Sequence, residues 1–255
     1  MKHLLLIFIA MTGSLLSFAQ VKPVSYSDGM QKLTGFAAAP KAGKGKPGVL
    51  ILPAWLGIND HFKGIAEKIS ASGYYAFVAD IYGEGNYPKD KKEAAERSAY
   101  YKSHVMEYRK RIQLALDELV KQGADPDHLV VIGYCFGGAG ALEAARANFR
   151  VKGVVSFHGS YGRDTALAVS PIMPKVLVCH GALDPYASEA QLRAFQKEMN
   201  EAKADWQMIY YANAVHSFTE PAAGNDNSKG AAYNEKADKR SWAAMMVFLK
   251  EVFEK

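Results

Sequence analysis

The chain has 255 residues, 49% of them hydrophobic and 22% charged, with a formal net charge of +5. That composition excludes a disordered or fibrous polymer and is enough for one large buried core. Its lysines are spread out, as in Lys41, Lys44 and Lys46 or Lys89, Lys91 and Lys92, and no basic block alternates with aromatics, so no nucleic-acid partner is expected.

The amino end reads as an export signal. Met1-Lys2-His3 is a short positive start, "LLLIFIAMTGSLLSFA" is an apolar run, and Ser17-Phe18-Ala19 is a small-x-small cleavage pattern. Residues 1–19 are expected to be a signal peptide, leaving residues 20–255 as a mature periplasmic or secreted protein that starts at Gln20. The alternative, an uncleaved anchor, needs the apolar run to span a bilayer, and it sits near the lower limit for that. No stable membrane insertion is expected after cleavage.

The mature chain then alternates. "VSYSDGMQKLTGFAAAP" reads as a hairpin turning at Asp28-Gly29. "GVLILP" is an unbroken apolar run suited to a strand buried on both faces. "HFKGIAEKISASGY" places Phe62, Ile65, Ala66 and Ile69 on one helical face. "YAFVADIYG" is the next strand, and residues 89–122 form a charged helical region broken near Ser103-His104. "HLVVIG" is a strand and "GGAGALEAARA" a helix. "VKGVVSFHG" and "KVLVCHG" are strands, the second leading to the helix "SEAQLRAFQKEMNEA". "WQMIYY" is a strand and "DKRSWAAMMVFLKEVFEK" the terminal helix. Apolar strands separated by helices predict a single α/β domain with a mostly parallel sheet covered on both faces. Ligands in such folds bind beyond the carboxyl ends of the strands.

At one of those ends stands Gly133-Tyr134-Cys135-Phe136-Gly137. The pattern is a strand-to-helix nucleophile elbow with cysteine in place of serine. Small residues two positions either side let strand and helix approach closely, and the helix amino end favours a thiolate. The Phe136 amide is placed for a developing oxyanion. No serine in the chain has glycine two positions on either side. In this architecture the nucleophile is followed by an acid and then a histidine, and Asp184 in "HGALDP" and His216 in "YYANAVHSFTEP" fit that order after later strands. Asp184 has a competing role as a cap for the helix starting near Ser188. His158 and His180 also follow strands but precede the acid, and read as loop or supporting residues. No histidine pair has metal-ligand spacing near a third ligand, so no metal is expected. Cys179 lies inside "VLVCHG" and reads as packing. With one strand between them the cysteines stand two spacings of about 4.8 Å apart, beyond the Cα reach of a disulfide.

Together "PAWLGINDHFK", "DIYGEG", "GYCFGG", "HGALDP", "HSFTEP" and "AYNEKADKRSW" make the sequence resemble the dienelactone hydrolase family, cysteine hydrolases of the α/β-hydrolase fold. The resemblance implies a Cys135–His216–Asp184 triad, with the Trp55 amide as second oxyanion donor beside Phe136. It also exposes departures. The family glutamate that contacts the resting nucleophile is replaced by Ala54, so Cys135 should pair directly with His216. Glu84 and Glu220 stand where the resemblance places two carboxylate-binding arginines, which points to neutral or cationic substrates rather than anionic ones. Tyr82, Tyr87, Trp55 and Phe218 are candidate walls of an aromatic pocket. The expected activity is hydrolysis of small ester or lactone substrates through an acyl-thioester, with no cofactor. The alternatives are a catalytically silent ligand-binding protein and a thiol redox protein using Cys179.

Overall fold

The computed structural model describes residues 21–41 and 43–254, so the expected signal peptide lies outside the described residues. A two-stranded hairpin, β1 (Lys22–Asp28) and β2 (Gln31–Ala38), opens the chain. Asp28 pairs with Gln31, so the turn is Gly29-Met30, one residue later than expected. Gly29 has φ +58°, the left-handed value a two-residue hairpin turn requires at its first position.

Six further strands follow: β3 (Lys46–Leu52), β4 (Tyr75–Val78), β5 (Ala124–Tyr134), β6 (Gly153–Phe157), β7 (Lys175–Gly181) and β8 (Trp206–Tyr211). All eight form one sheet in the order β1-β2-β4-β3-β5-β6-β7-β8. From β4 to β8 every pairing is parallel; β1 and β2 add an antiparallel edge. The helices are α1 (Asp60–Ala71), α2 (Lys91–Ser103), α3 (Val105–Lys121), α4 (Phe136–Arg146), α5 (Glu189–Glu201) and α6 (Glu235–Phe253). This is a single α/β-hydrolase domain, as the alternation implied.

Side-chain alternation divides the core. In β3, Leu50 and Leu52 face the layer of α2, α3, α4 and α5, while Val49 and Ile51 face that of α1 and α6. All four are fully buried, and each contributes about 2 kcal/mol of apolar burial. A strand buried on both faces has no polar alternation, which is why "GVLIL" reads as it does.

Two elements differ from expectation for local reasons. β4 stops at Val78 because Asp80 turns the chain into a polar knot. Its carboxylate accepts from the Thr34 amide (2.9 Å), the Gly83 amide (2.8 Å) and the Tyr87 hydroxyl (2.6 Å). Tyr87 is thereby tied to that knot. β5 begins at Ala124, ahead of the apolar run, since Ala124 already pairs with Lys46. The helical region breaks at His104 as expected, with α2 ending at Ser103.

Candidate active site

The parallel strands end on one edge, and four loops from that edge converge. β5 leads into the elbow. Cys135 has φ +53° and ψ −112°, a strained conformation for a residue with a Cβ. The flanking glycines are obligatory here. A Cβ on Gly133 would stand 1.9 Å from the Gly137 carbonyl oxygen, and one on Gly137 would stand 2.1 Å from that of Leu52. Both obstacles are backbone, so no rotamer change would relieve them. Strand, turn and helix can therefore close only around glycine.

The loops after β7 and β8 bring the other two groups. They are stitched together by Ala182 N–H to the Tyr211 carbonyl (3.0 Å) and Leu183 N–H to that of Ala214 (2.9 Å). Gly181 lets them touch, because a Cβ there would meet the Val215 carbonyl oxygen at 2.6 Å. His216 is fixed from behind by its N–H to the Gly230 carbonyl and by the Ala232 N–H to its own carbonyl. The result is a continuous chain: Cys135 Sγ lies 3.1 Å from His216 Nε2, and His216 Nδ1 lies 2.8 Å from Asp184 Oδ2. The other Asp184 oxygen accepts from the Tyr186 amide. Ser188, in a capping box with Gln191, caps α5, so the competing role for Asp184 is already filled.

Burial by itself would lower the pKa of His216. The hydrogen bonds to Asp184 and Cys135, with their charges, overcome it and raise the value to about 10. The cationic form of the imidazole is the one these contacts favour. His216 also sits between two aromatic edges, His158 and Tyr186, each with its ring centroid 5.2 Å away. His158 is fully buried, bonds Thr219 through Nε2 (2.8 Å), and is held neutral by burial, reinforced by the nearby His216 charge.

The two expected oxyanion amides share a scaffold. Phe136 opens α4, where backbone donors have no intrahelical acceptor. The Trp55 amide has no acceptor among the described residues. The Tyr82 hydroxyl donates to the Trp55 carbonyl (2.7 Å), and its ring stacks on Phe136 at 5.8 Å. Tyr108 stacks on the Phe136 ring at 4.6 Å and donates to the Phe136 carbonyl. One column of rings thus positions both turns. Ala54 is buried and offers the thiol no acceptor, in keeping with direct pairing to His216.

Other expected contacts require correction. Phe218 and Tyr82 are 0% and 3% exposed; they support the site from within the core and do not face an open pocket. Glu84 accepts from the Thr34 hydroxyl at 2.7 Å and is turned toward the hairpin. Glu220 is buried close to His216, where burial raises its pKa and the imidazolium opposes the rise. Glu84 is thus engaged by the hairpin, while one Glu220 carboxylate oxygen is buried without a hydrogen-bond partner beside the imidazole. Tyr186 and Tyr108 carried no sequence signal, because their roles depend on contacts across 30 and 28 residues respectively.

A separate cavity of about 190 Å³ is lined by Arg109, Glu143, Arg146, Arg163 and Glu198. It lies toward the far end of α4 from Cys135, and Arg109 and Arg146 pair with its glutamates. Among the described residues no group of acids, histidines or cysteines could hold a metal ion, and no helix is long and apolar enough to cross a membrane.

Known proteins share this fold. A dienelactone hydrolase-like promiscuous phosphotriesterase from metagenomic libraries superposes with a TM-score of 0.88 at 36% identity, covering 93% of this chain and 100% of that one. A second solved structure, "m3DLH", gives 0.88 at 35% identity with the same coverage. A Bradyrhizobium protein named "Probable 2-oxo-3-(5-oxofuran-2-ylidene)propanoate lactonase" is 25% identical across 80% of this chain and 83% of its own length. The sequence pattern of the dienelactone hydrolase family matches residues 33–253, and the chain belongs to that family.

Proposed function

We propose that the protein hydrolyses carboxylic ester or lactone bonds with Cys135 as nucleophile, His216 as proton carrier and Asp184 as its orienting partner. The observation that carries this reading is the unbroken Sγ–imidazole–carboxylate chain at 3.1 and 2.8 Å, seated on the strained elbow. The thiolate attacks the carbonyl carbon, and the amides of Phe136 and Trp55 take the oxyanion. Collapse of the tetrahedral intermediate breaks the carbon–oxygen bond. His216 Nε2–H protonates the departing alkoxide, leaving an acyl-thioester. His216 then takes a proton from water, whose oxygen attacks the thioester; the thiolate leaves and the carboxylic acid product forms. Asp184 fixes the imidazole tautomer and supports its cationic form.

Two observations disfavour the other classes. Cys179 is fully buried in β7 with β6 lying between it and the Cys135 strand, so it is poorly placed to resolve a Cys135 disulfide. A silent binding protein has no use for a strained elbow aligned with an ion pair. The same reading includes export with cleavage after Ala19, for which sequencing of the mature amino end should return Gln20. The activity is tested with chromogenic carboxylic esters, a lactone and a phosphotriester, the last chosen for the substrate named in the structural relative. Wild type should turn over the esters and Cys135→Ala should not. Equal turnover by both would remove Cys135 from the chemistry.

A further inference from the structure

Large apolar side chains that stand singly on a protein surface call for no explanation. Tyr186 differs, because it is 60% exposed and yet pinned against the triad. Its N–H donates to Asp184 Oδ1 at 2.9 Å, which ties its backbone to the orienting acid. Its ring lies against Gly230: a Cβ on that glycine would stand 3.2 Å from the Tyr186 hydroxyl oxygen. The Gly230 carbonyl in turn accepts the His216 N–H. The ring meets the imidazole edge to face, with centroids 5.2 Å apart and planes at 82°. These contacts fix in place an aromatic surface that the core does not cover.

The neighbours of the imidazole say what that surface can meet. Nε2 faces Cys135 and Nδ1 faces Asp184. On one flank His158 is fully buried and packs on the equally buried Phe218, so that flank is closed. The flank that carries Tyr186 is open to solvent. A departing alcohol oxygen must come within hydrogen-bond reach of Nε2 to receive its proton. The rest of the alcohol therefore extends over the open flank, beside the exposed ring. Leu56, next to Trp55, and Leu183, next to Asp184, are exposed as well, so apolar surface is concentrated on the loops of this rim.

We propose that Tyr186 is a substrate-binding residue whose ring receives the alcohol part of the ester and selects flat, aromatic alcohols over alkyl ones. This rests on the hydrolytic reading above and names the leaving-group class for that same site. Aromatic rings pair in offset or edge-to-face geometry at centroid separations of about 4.5–7 Å. A phenol ring whose oxygen is beside Nε2 comes within that range of a side chain held so close to the imidazole.

The test uses phenyl acetate and trifluoroethyl acetate, which share an acyl group and differ in a flat aromatic or a small alkyl alcohol. Acid release is followed by titration at constant pH, and each variant is referred to wild type so that the intrinsic reactivities of the esters cancel. Tyr186→Ala should lower the phenyl-to-trifluoroethyl ratio of kcat/KM about 5-fold, mainly through KM. Tyr186→Phe keeps the ring and should hold the ratio within about 2-fold of wild type. Tyr74→Ala should leave the ratio unmoved, because Tyr74 precedes β4 at the opposite edge of the sheet and packs on Phe253. An unchanged ratio in Tyr186→Ala overturns the proposal, even if both esters slow equally, since a ring that only braces His216 would give that result. An equal fall of the ratio in Tyr74→Ala overturns it too. If wild type hydrolyses neither ester, the hydrolytic reading falls and Tyr186 is judged by alkylation of Cys135. There, Tyr186→Ala should reduce the rate with N-phenylmaleimide relative to N-ethylmaleimide, and an unaltered rate ratio would refute the assignment.

Discussion

Cys135 and Cys179 belong to the same parallel sheet, separated by one strand, and their thiols are in opposite situations. Cys179 is inside β7, paired with β6 and β8, fully buried, and contacted at 3.7 Å by the Tyr211 hydroxyl. Burial pushes its pKa up to about 12, which leaves it a protonated, apolar filler. Cys135 is one residue past the end of β5, at φ +53°, partly exposed, and bonded to His216. Position along the strand, more than residue type, decides which sulfur is available for chemistry.

The largest expected contrast is in turnover. Cys135→Ala should reduce ester hydrolysis by roughly 10³-fold or more, while Cys179→Ala should keep turnover and lose about 1–2 kcal/mol of stability in urea unfolding. If Cys179→Ala also abolished activity without unfolding, the division of roles would be wrong.

Next comes the imidazole. Asp184→Asn should lower kcat by about 10²–10⁴-fold. It should also move the alkaline fall of activity to lower pH, because one of the partners that raise His216 is gone. The same linkage acts on the fold. A histidine raised from 6.5 to about 10 contributes stability that is fully present below 6.5 and lost as pH rises toward 10. Urea midpoints measured from pH 6 to 10 should therefore drop more steeply in wild type than in His216→Ala; parallel curves would contradict the ion pair.

The elbow gives a sharper structural comparison. Gly137→Ala must push a Cβ into the Leu52 carbonyl, whereas Gly162→Ala meets nothing within 4 Å. The first should cost roughly 3 kcal/mol or more and the second less than about 0.5 kcal/mol by thermal or urea unfolding. The smallest effect is expected from Tyr82→Phe, which removes the hydroxyl from the Trp55 carbonyl but keeps the ring on Phe136. About 1 kcal/mol of stability and a few-fold lower kcat are expected; a Trp55 amide with no part in the reaction would leave kcat unaffected.

Much of this was readable from local pattern. The apolar runs of β3 and β5, the Gly133/Gly137 spacing, and the order Cys135, Asp184, His216 are all short-range or ordinal features. The end of β4 was not readable, because Asp80 is satisfied by Thr34 and Tyr87, and Thr34 lies 46 residues away. Glu84 and Phe218 were misplaced for the same reason: resemblance gives a position in the chain, and the direction of a side chain depends on what packs around it.

By itself, the sequence determined the alternation of strand and helix, the elbow, and the candidates for the triad, since periodicity and close glycine spacing are set by backbone sterics. Only the tertiary structure decided that His216 bridges Cys135 and Asp184, and that Tyr82 and Tyr108 brace the turns carrying the Trp55 and Phe136 amides. Those facts depend on distances between segments far apart in the chain, which are fixed when the sheet closes and the loops on its edge are packed together.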